Sequence, residues 1–513
     1  MQENHKKIAK NTIMLYIRMV VIMLIGFYTS RIALNLLGVE SFGIYSSVMG
    51  AVGFFGILQT SLGNSTTRFI TYELGTGDKK RLGRTFSNIL FLYILLAAVI
   101  LLISETAGIW FLNHKLVIPP QKIFAAGIVF QLCIITYLTN AFRFPYQALI
   151  IAHESMDVYA VINIAETLTR LILLLCLTLV DSLNLLIAYA FALLITSLLG
   201  FSASYFYARK NFRECLRGPA LEPEISKPVV NFYLTDFYNS SSWVLQGNGV
   251  SILQNIYFGP VANAAATIAS QVFSGINSLA ENFLSALRPQ VIKNYAAGNK
   301  KELNKIIIYG TEMSLLLLLI FSVPLFIEIE FVLKLWLKLV PPYTVTFIRI
   351  ILLTAVIDIL FNIIYQAVYA TGRIKKLSFI FGTVHILAFA VSWLLYIYGF
   401  PAYSSYLAVL IGNTVFYIFL TGIAAVQIPD FSIREYAREI LLKALLFAAV
   451  MSFPAFIIHL GMRSGWPRLI AVCSVTTISW GLLCLTVAFN SDLRKEILSK
   501  STDFFKKHRG AVK

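Results

Sequence analysis

The residues of this sequence that are most able to do chemistry are charged side chains inside long apolar stretches. A charge within the hydrocarbon of a membrane costs about 3 kcal/mol or more, so such a group usually faces a partner or a water-filled cavity. Groups of this kind can bind an ionic ligand or carry a coupling ion. The candidates are Arg18, Arg31, Arg68, Arg143, Glu166, Arg170, Asp236, Glu281, Arg288, Glu312, Arg349, Asp358 and His385.

Arginine predominates among these charged candidates. Its planar guanidinium group matches phosphate and pyrophosphate, so the pattern favours an anionic ligand. Arg68 and Arg288 lie near predicted helix ends, where the alternative is that they reach lipid headgroups. We interpret one set of side chains as lining a substrate cavity: Arg18, Arg31, Arg68, Arg143, Arg288, Asn64, Asn239, Gln246 and Gln271.

A second set consists of carboxylates and one arginine. We interpret Asp236, Glu281, Asp358, Glu166 and Arg170 as candidates for ion coupling or gating. Glu166 and Arg170 are four residues apart, so on one helix they can pair with each other, which is the structural alternative. The lone His385 is flanked by apolar residues, and we interpret it as structural.

Long apolar stretches run along the whole chain, which is 58% hydrophobic and 13% charged. Each stretch can cross a hydrocarbon core of about 30 Å, and no strand-like alternation is visible. The sequence therefore predicts an all-α, polytopic membrane protein with about fourteen transmembrane helices. The predicted spans are 11–37, 42–70, 86–110, 121–151, 157–180, 183–208, 229–257, 260–289, 303–327, 343–370, 376–399, 403–427, 438–461 and 466–488.

The predicted span 229–257 is unusually polar. Gln246, Asn248 and Gln254 follow a run of polar residues that begins at Thr235, and together they cover several helix faces. A helix of this kind is expected to line a wet cavity, because it is too polar to face lipid. The glycines at positions 247 and 249 would allow it to bend.

An internal repeat relates the first six predicted spans to the next six. Residues 77–82 read GDKKRL and residues 298–303 read GNKKEL, so positions 77 and 298 differ by 221. The repeat predicts two six-helix lobes with a substrate cavity between them. The expected domains are an N-lobe at 1–210, a cytosolic connector at 211–228, a C-lobe at 229–427, two extra helices at 428–490 and a basic cytosolic tail at 491–513.

The net charge of +17 is distributed unevenly over the predicted loops. With the amino terminus in the cytosol, about thirty Lys and Arg fall on the cytosolic side and about six on the other. This asymmetry predicts that both termini are cytosolic. It also favours contact with anionic lipids, and we expect no nucleic-acid partner.

The sequence carries none of the common enzyme signatures. It contains no GxxxxGK[ST], GxSxG or HExxH motif, so neither direct use of ATP nor hydrolysis is expected. The five cysteines include no CxxC pair, which predicts no disulfide, zinc site or haem attachment. We therefore expect a protein that is not an enzyme and that has no cofactor.

A resemblance to a known family is carried by short motifs in both predicted lobes. They are KKIAKNT at 6–12, LGVESFGIY at 37–45, TTRF at 66–69, LRP at 287–289 and ATGR at 370–373. With these motifs and two further C-terminal helices, the chain resembles the Wzx-type polysaccharide flippases. These belong to the multidrug/oligosaccharidyl-lipid/polysaccharide (MOP) exporter superfamily.

The resemblance implies two lobes that alternate between cytosol-open and periplasm-open states. It implies flipping of undecaprenyl-pyrophosphate-linked oligosaccharide across the bacterial inner membrane, for capsule, exopolysaccharide or O-antigen synthesis. It also implies cationic cavity residues for the pyrophosphate, and a proton or sodium gradient or the membrane potential as driving force. Arg18, Arg31, Arg68 and Arg288 occupy helices in which related lipid flippases place arginines. Polysaccharide-assembly proteins are further expected partners.

Three other functions stay open at this point. The first is a cation-coupled multidrug exporter of the same superfamily, although most such exporters have twelve helices. The second is a membrane polysaccharide polymerase or ligase, against which the very short predicted extracytoplasmic loops argue. The third is a flippase-like scaffold that does not transport.

Overall fold

The computed structural model describes residues 2–153, 155–179, 184–371, 373, 375–428 and 430–488. The predicted basic tail at 491–513 lies outside these residues. Within the described part the chain is helical and contains no strand, which confirms the predicted all-α class.

The helices follow one another with short connections. The first are α1 (Gln2–Gly53), α2 (Gly56–Thr76), α3 (Lys79–Ile103), α4 (Ile109–His114), α5 (Ile123–Ala152), α6 (Met156–Leu177), α7 (Leu185–Asn211), α8 (Pro223–Val244) and α9 (Val250–Phe258). They are followed by α10 (Pro260–Ala296), α11 (Lys300–Trp336), α12 (Thr344–Ala370), α13 (Lys375–Ile397), α14 (Ser404–Gln427), α15 (Ile433–Tyr436), α16 (Leu442–Gly461) and α17 (Trp466–Leu483).

Many of these helices can cross a membrane. Among the described residues, 11 segments are long and apolar enough to do so, and the chain is therefore a multi-pass membrane protein. Helices α2, α8 and α10, which are rich in Ser, Thr, Asn and Gln, are not among them. The total of about fourteen spans stays a prediction.

Glycines at repeat-related turns share a positive φ angle. Gly38, at a kink within α1, has φ 72° and ψ 166°, and Gly259, before α10, has φ 75° and ψ −177°. Gly77 and Gly298, in the two lysine-containing loops, have φ 77° and 67°. Positions 38 and 259 differ by 221, as positions 77 and 298 do. Because a positive φ is accessible to glycine at little cost, the repeated sequence encodes repeated turns.

The segment that joins α7 to α8 is held against α3. Glu222 pairs with Arg84 of α3 and lies 3.2 Å from Arg217, and its backbone N–H donates to Asn88 Oδ1 at 2.6 Å. The hydrogen bond from Arg84 lowers the pKa of the Glu222 carboxyl, so the charged form that makes these contacts dominates at neutral pH. Burial raises the pKa of the Cys215 thiol in this segment to about 12, so the thiol stays protonated.

The described residues pack as two compact units. The first comprises the described residues within 2–271, 336–347 and 378–412, and the second comprises those within 272–335, 348–377 and 413–488. In the first unit, a core around Phe86, Tyr93 and Leu149 lies where α3 and α5 meet neighbouring helices. The lobe boundaries expected from the repeat stay a prediction.

In the second unit, two buried carboxylates of α11 bind the last two long helices. Glu312 pairs with Lys443 of α16. Glu328 lies 2.7 Å from His459 Nδ1 of α16, and its Oε2 accepts from Nε and Nη2 of Arg468, on α17, at 3.1 and 2.8 Å. Both contacts between α11 and α16 join residues 131 apart, so the two helices run parallel in fixed register.

We expect Arg468→Leu to lower the free energy of unfolding by about 3 kcal/mol. The substitution removes the guanidinium partner of Glu328, whose side chain has 0% exposure, and an uncompensated buried charge is costly. The double variant Glu328→Leu/Arg468→Leu should be closer to the wild type, because it removes both charges. Denaturant titration of the purified protein, followed by tryptophan fluorescence, measures both values.

Arg463→Leu is the matched control, because Arg463 is exposed in the turn between α16 and α17. Equal losses of stability for Arg463→Leu and Arg468→Leu would contradict a role of the buried pair in holding these helices.

Candidate functional site

The first group of predicted site residues meets around Arg143 on α5. The Arg143 side chain is 6% exposed and pairs with Glu166 of α6. Its Nε donates to Ser204 Oγ of α7 at 3.2 Å. With the Gln147 amide oxygen turned toward the guanidinium, Gln147 accepts from Nε and Nη2 at 2.8 and 2.9 Å. This arginine is fully engaged by its neighbours, so it has little capacity left for a ligand.

Gly200 on α7 gives this ion pair its space. A Cβ atom at position 200 would lie 2.6 Å from Arg143 Nη1 and 2.9 Å from Glu166 Oε2. Both distances are shorter than real contacts, so a larger residue at position 200 requires the Arg143 or Glu166 side chain to move. The lack of a side chain at position 200 therefore allows α5, α6 and α7 to pack around this ion pair.

Glu166 and Arg170, for which mutual pairing was the structural alternative, each form a hydrogen bond to another residue. Glu166 binds Arg143, and Arg170 instead donates from Nη2 to the Tyr189 hydroxyl of α7 at 3.3 Å. Helical spacing brings Glu166 and Arg170 near each other, but the more deeply buried Arg143 has the greater need for a counter-charge. Glu166 and Arg170 therefore both take part in helix packing in the first unit.

The arginines of α1 are differently placed. The Arg18 guanidinium lies over the Tyr159 ring of α6, 4.8 Å from its centroid, which is a cation–π contact. Arg18 Nε is buried and has no hydrogen-bond partner among the described residues. Arg31 is half-buried, 13 residues further along α1. Arg18 thus retains a donor that an anionic ligand could satisfy.

A second polar cluster lies within the second unit, around two carboxylates. Glu281 of α10 accepts from Asn362 Nδ2 of α12 at 2.8 Å, and Asn362 Oδ1 accepts from Gln366 Nε2 at 2.6 Å. Arg288 Nη2 lies 3.5 Å from Glu281 Oε2. Arg288 is exposed, so this contact leaves most of its guanidinium accessible.

Asp358, one turn before Asn362 on α12, is the second carboxylate. Its Oδ1 accepts from Asn413 Nδ2 and from the Tyr417 hydroxyl, both on α14 and both at 2.9 Å. Asn413 Oδ1 is buried without a hydrogen-bond partner among the described residues. Asp358 therefore sits in an uncharged hydrogen-bond environment, in which gain of a proton or a small cation is chemically reasonable.

The predicted polar helix is α8 and α9 with a π-helical turn at Leu245–Gly249 between them. Such turns mark irregular points in a helix, and this one contains the two glycines at which we expected bending. Its amides mostly bind neighbouring helices. Asn248 donates to the Gly53 carbonyl at 2.8 Å, and Asn255 donates to Ser47 Oγ at 2.8 Å. Part of the polar surface of this helix is therefore used in hydrogen bonds to neighbouring helices rather than in contact with water.

The remaining predicted residues are not all described. The side chains of Asn64, Asp236 and Asn239 lie outside the described set. Gln246 is buried, and its Nε2 has no partner among the residues that the structure describes; Gln271 is half-buried near Gly26 of α1. Arg68 is exposed on α2. Glu312 pairs with Lys443, and His385 Nδ1 donates to the Phe381 carbonyl at 2.8 Å, so both side chains are used in packing.

Sequence reasoning missed the amide and hydroxyl partners. Asn362, Gln366, Asn413 and Tyr417 join the carboxylates of the second unit, and Gln147 joins Arg143. The spacing of Asp358, Asn362 and Gln366 by four residues was a usable signal, because it places them on one helix face. Among the described residues, no group of three or more His, Cys, Asp or Glu could hold a metal ion.

Two protein-family models match this chain. The family model described as "Polysaccharide biosynthesis protein" matches residues 8–296, which is more than half of the chain. The model described as MatE matches residues 247–394. No curated protein matches.

Solved structures show the same fold. One is an inward-facing multidrug resistance MATE family transporter of the MOP superfamily, with TM-score 0.64 and 12% identity over 81% of this chain and 99% of that chain. Another is a MOP superfamily transporter from Pyrococcus furiosus, with TM-score 0.55 and 16% identity over 82% and 95% of the two chains. At these identities the likeness establishes the fold alone.

We expect Gly200→Ala to lower the free energy of unfolding by about 1–3 kcal/mol, because its Cβ displaces the Arg143–Glu166 pair. Gly127→Ala on α5 is the matched control, since nothing lies within 4 Å of a Cβ built there. Thermal unfolding of both variants in one detergent measures the difference. If both variants melt together, the ion pair tolerates the added methyl group and our account of Gly200 fails.

Proposed function

Because this chain belongs to the polysaccharide biosynthesis protein family, we propose that it flips undecaprenyl-pyrophosphate-linked oligosaccharide across the bacterial inner membrane. The product would serve capsule, exopolysaccharide or O-antigen synthesis. The observation that carries the proposal is the family match over residues 8–296, and the MOP transporter fold supports it. We further propose that both termini are cytosolic, as the distribution of Lys and Arg favours.

Arginines supply the recognition chemistry in this proposal. In this proposal, the guanidinium groups of Arg18, Arg31, Arg68 and Arg288 are each hydrogen-bond donors to phosphate groups of the lipid-linked substrate. Arg18 offers a buried Nε that has no hydrogen-bond partner within the part of the chain that the structure describes, and Arg288 is exposed. A charge-assisted hydrogen bond to phosphate contributes about 1.5–3 kcal/mol, so loss of one arginine should be measurable. Arg143 has a structural role in this scheme, because its donors are already occupied.

Energy coupling is assigned to the carboxylates of the second unit. Asp358 binds two neutral donors, and Glu281 links to Asn362 and Arg288. Gain of a proton by Asp358 would turn an acceptor into a donor and rearrange its contacts with Asn413 and Tyr417. A change of this kind on α12 and α14 can bias two conformations of the unit. Anionic lipids and polysaccharide-assembly proteins complete the proposed set of partners.

A cation-coupled multidrug exporter is the second candidate. The MatE match at residues 247–394 and the multidrug transporter among the solved structures favour it. The arginines on α1 disfavour it, because an organic cation would be repelled by them. Deletion of the gene separates the two functions: stranding of lipid-linked oligosaccharide in the inner leaflet supports flipping, and new sensitivity to cationic drugs without stranding supports export.

We predict that Arg18→Ala and Arg288→Ala each reduce the rate of flipping about tenfold or more at normal expression. Each substitution removes a side chain that donates hydrogen bonds to phosphate. Outer-leaflet exposure of the lipid-linked oligosaccharide, probed by an impermeant glycosidase or lectin in intact spheroplasts, measures the rate. Arg18→Lys should retain part of the activity, because it keeps the charge but not the fork.

Arg213→Ala, in the connector, is the matched control and should flip at the wild-type rate. Wild-type rates for both Arg18→Ala and Arg288→Ala would refute the cationic recognition scheme, while leaving the flippase proposal to the deletion experiment.

We predict that Asp358→Asn abolishes the stimulation of flipping by an imposed ion gradient, because an amide neither binds a proton nor balances a cation. Reconstituted vesicles with a proton gradient, and in parallel with a sodium gradient, measure the stimulation. Glu40→Gln, at an exposed carboxylate paired with Lys122, is the control that should respond normally. A full response of Asp358→Asn to either gradient sinks the coupling assignment.

A further inference from the structure

An apolar groove lies within the second unit, between α11, α12 and α16. Its volume is about 500 Å³, and it is lined by side chains such as Val323, Phe326, Leu352, Val356 and Phe453. Among the described residues that line it, two serines are polar and the others are apolar. A surface of this composition does not favour binding of a sugar or a free phosphate, but it is suited to a hydrocarbon chain.

A pair of opposite charges lies at one end of this groove. The Arg349 guanidinium is over the Phe326 ring, 5.9 Å from its centroid, and Arg349 Nε donates to the Phe326 carbonyl at 3.4 Å. Arg349 Nη2 lies 3.4 Å from Glu330 Oε1. The side chains are 37% and 64% exposed, so both keep capacity for further contacts. Leu352, which lines the groove, is one helical turn from Arg349.

The depth of this charged pair matches that of lipid headgroups. Glu330 precedes Trp336, the last residue of α11, and Arg349 follows Thr344, the first residue of α12. At 1.5 Å per residue, both lie within about 9 Å of the helix ends. Because the ends of membrane-spanning helices lie near the headgroups, we expect the groove to begin at that level and to continue toward the middle of the membrane.

We propose that this groove binds phosphatidylethanolamine, with an acyl chain between α11, α12 and α16, the phosphate on Arg349 and the ammonium on Glu330. A zwitterionic headgroup complements both charges of the pair. An anionic headgroup would satisfy Arg349 but would leave negative charge beside Glu330, and a polyprenyl pyrophosphate would do so more strongly. The bound lipid would fill the space between α16 and its neighbours in the second unit.

Lipid binding to the purified, full-length protein tests this proposal. The protein is loaded in detergent with equimolar phosphatidylethanolamine and phosphatidylglycerol of matched acyl chains, and bound lipid is resolved by native mass spectrometry. We expect the wild type to retain phosphatidylethanolamine in several-fold excess. Arg349→Gln should reduce retention of both lipids, whereas Glu330→Gln should shift the preference toward phosphatidylglycerol.

Lys334→Gln is the control, because it removes an exposed charge from the same end of α11 and should leave retention unchanged. Ala448→Phe should displace the acyl chain by filling the groove. The Arg349 and Glu330 variants change exposed side chains, so they test the proposal even if Ala448→Phe does not fold. Equal retention of the two lipids by the wild type, or an unchanged preference in Glu330→Gln, would overturn it. Neither outcome depends on transport activity.

Discussion

A charged side chain within a membrane helix has no water to solvate it, and this constraint decides where helices of this chain meet. Arg143 and Glu166 join α5 to α6, and Glu328 with Arg468 joins α11 to α17. Hydrophobic burial cannot select such partners, because lipid tails are as apolar as leucine. Polar contacts therefore specify helix neighbours in both units, and the small residue Gly200 makes room for one of them.

The same constraint separates structural charges from charges that remain available. Arg143 is surrounded by acceptors, whereas Arg18 lies over an aromatic ring and its Nε has no hydrogen-bond partner in the described part of the chain. Asp358 is held by neutral donors, unlike Glu328, which has a full counter-charge. A carboxylate without a counter-ion can change its protonation at modest cost, and one inside an ion pair cannot. The side chains that can still bind a ligand or change protonation are therefore those whose charges lack a full counter-charge.

Much of the fold follows from the sequence. Apolar length predicts helices, and the doubled glycine loops predict turns that the backbone repeats at Gly77 and Gly298. The site is less predictable, because spacing along one helix says nothing about the helix packed beside it. Glu166 illustrates this: its neighbour in the sequence is Arg170, but its partner is Arg143, 23 positions away. Asn248 likewise lies on the helix that was expected to line a cavity, and it instead donates to the Gly53 carbonyl of α1.

The two carboxylates of α11 have a mechanical consequence. Glu312 and Glu328 are 16 residues apart, as are their partners Lys443 and His459, so the contacts are about 24 Å apart along the helices. Sliding α16 past α11 by one turn would break both contacts at the same moment, with nothing gained until the next matching position. The two contacts therefore couple α11 and α16 at two separated points. This coupling transmits force along the helix axis and resists sliding of one helix past the other. Any motion of α11 must carry α16 with it as one stiff body.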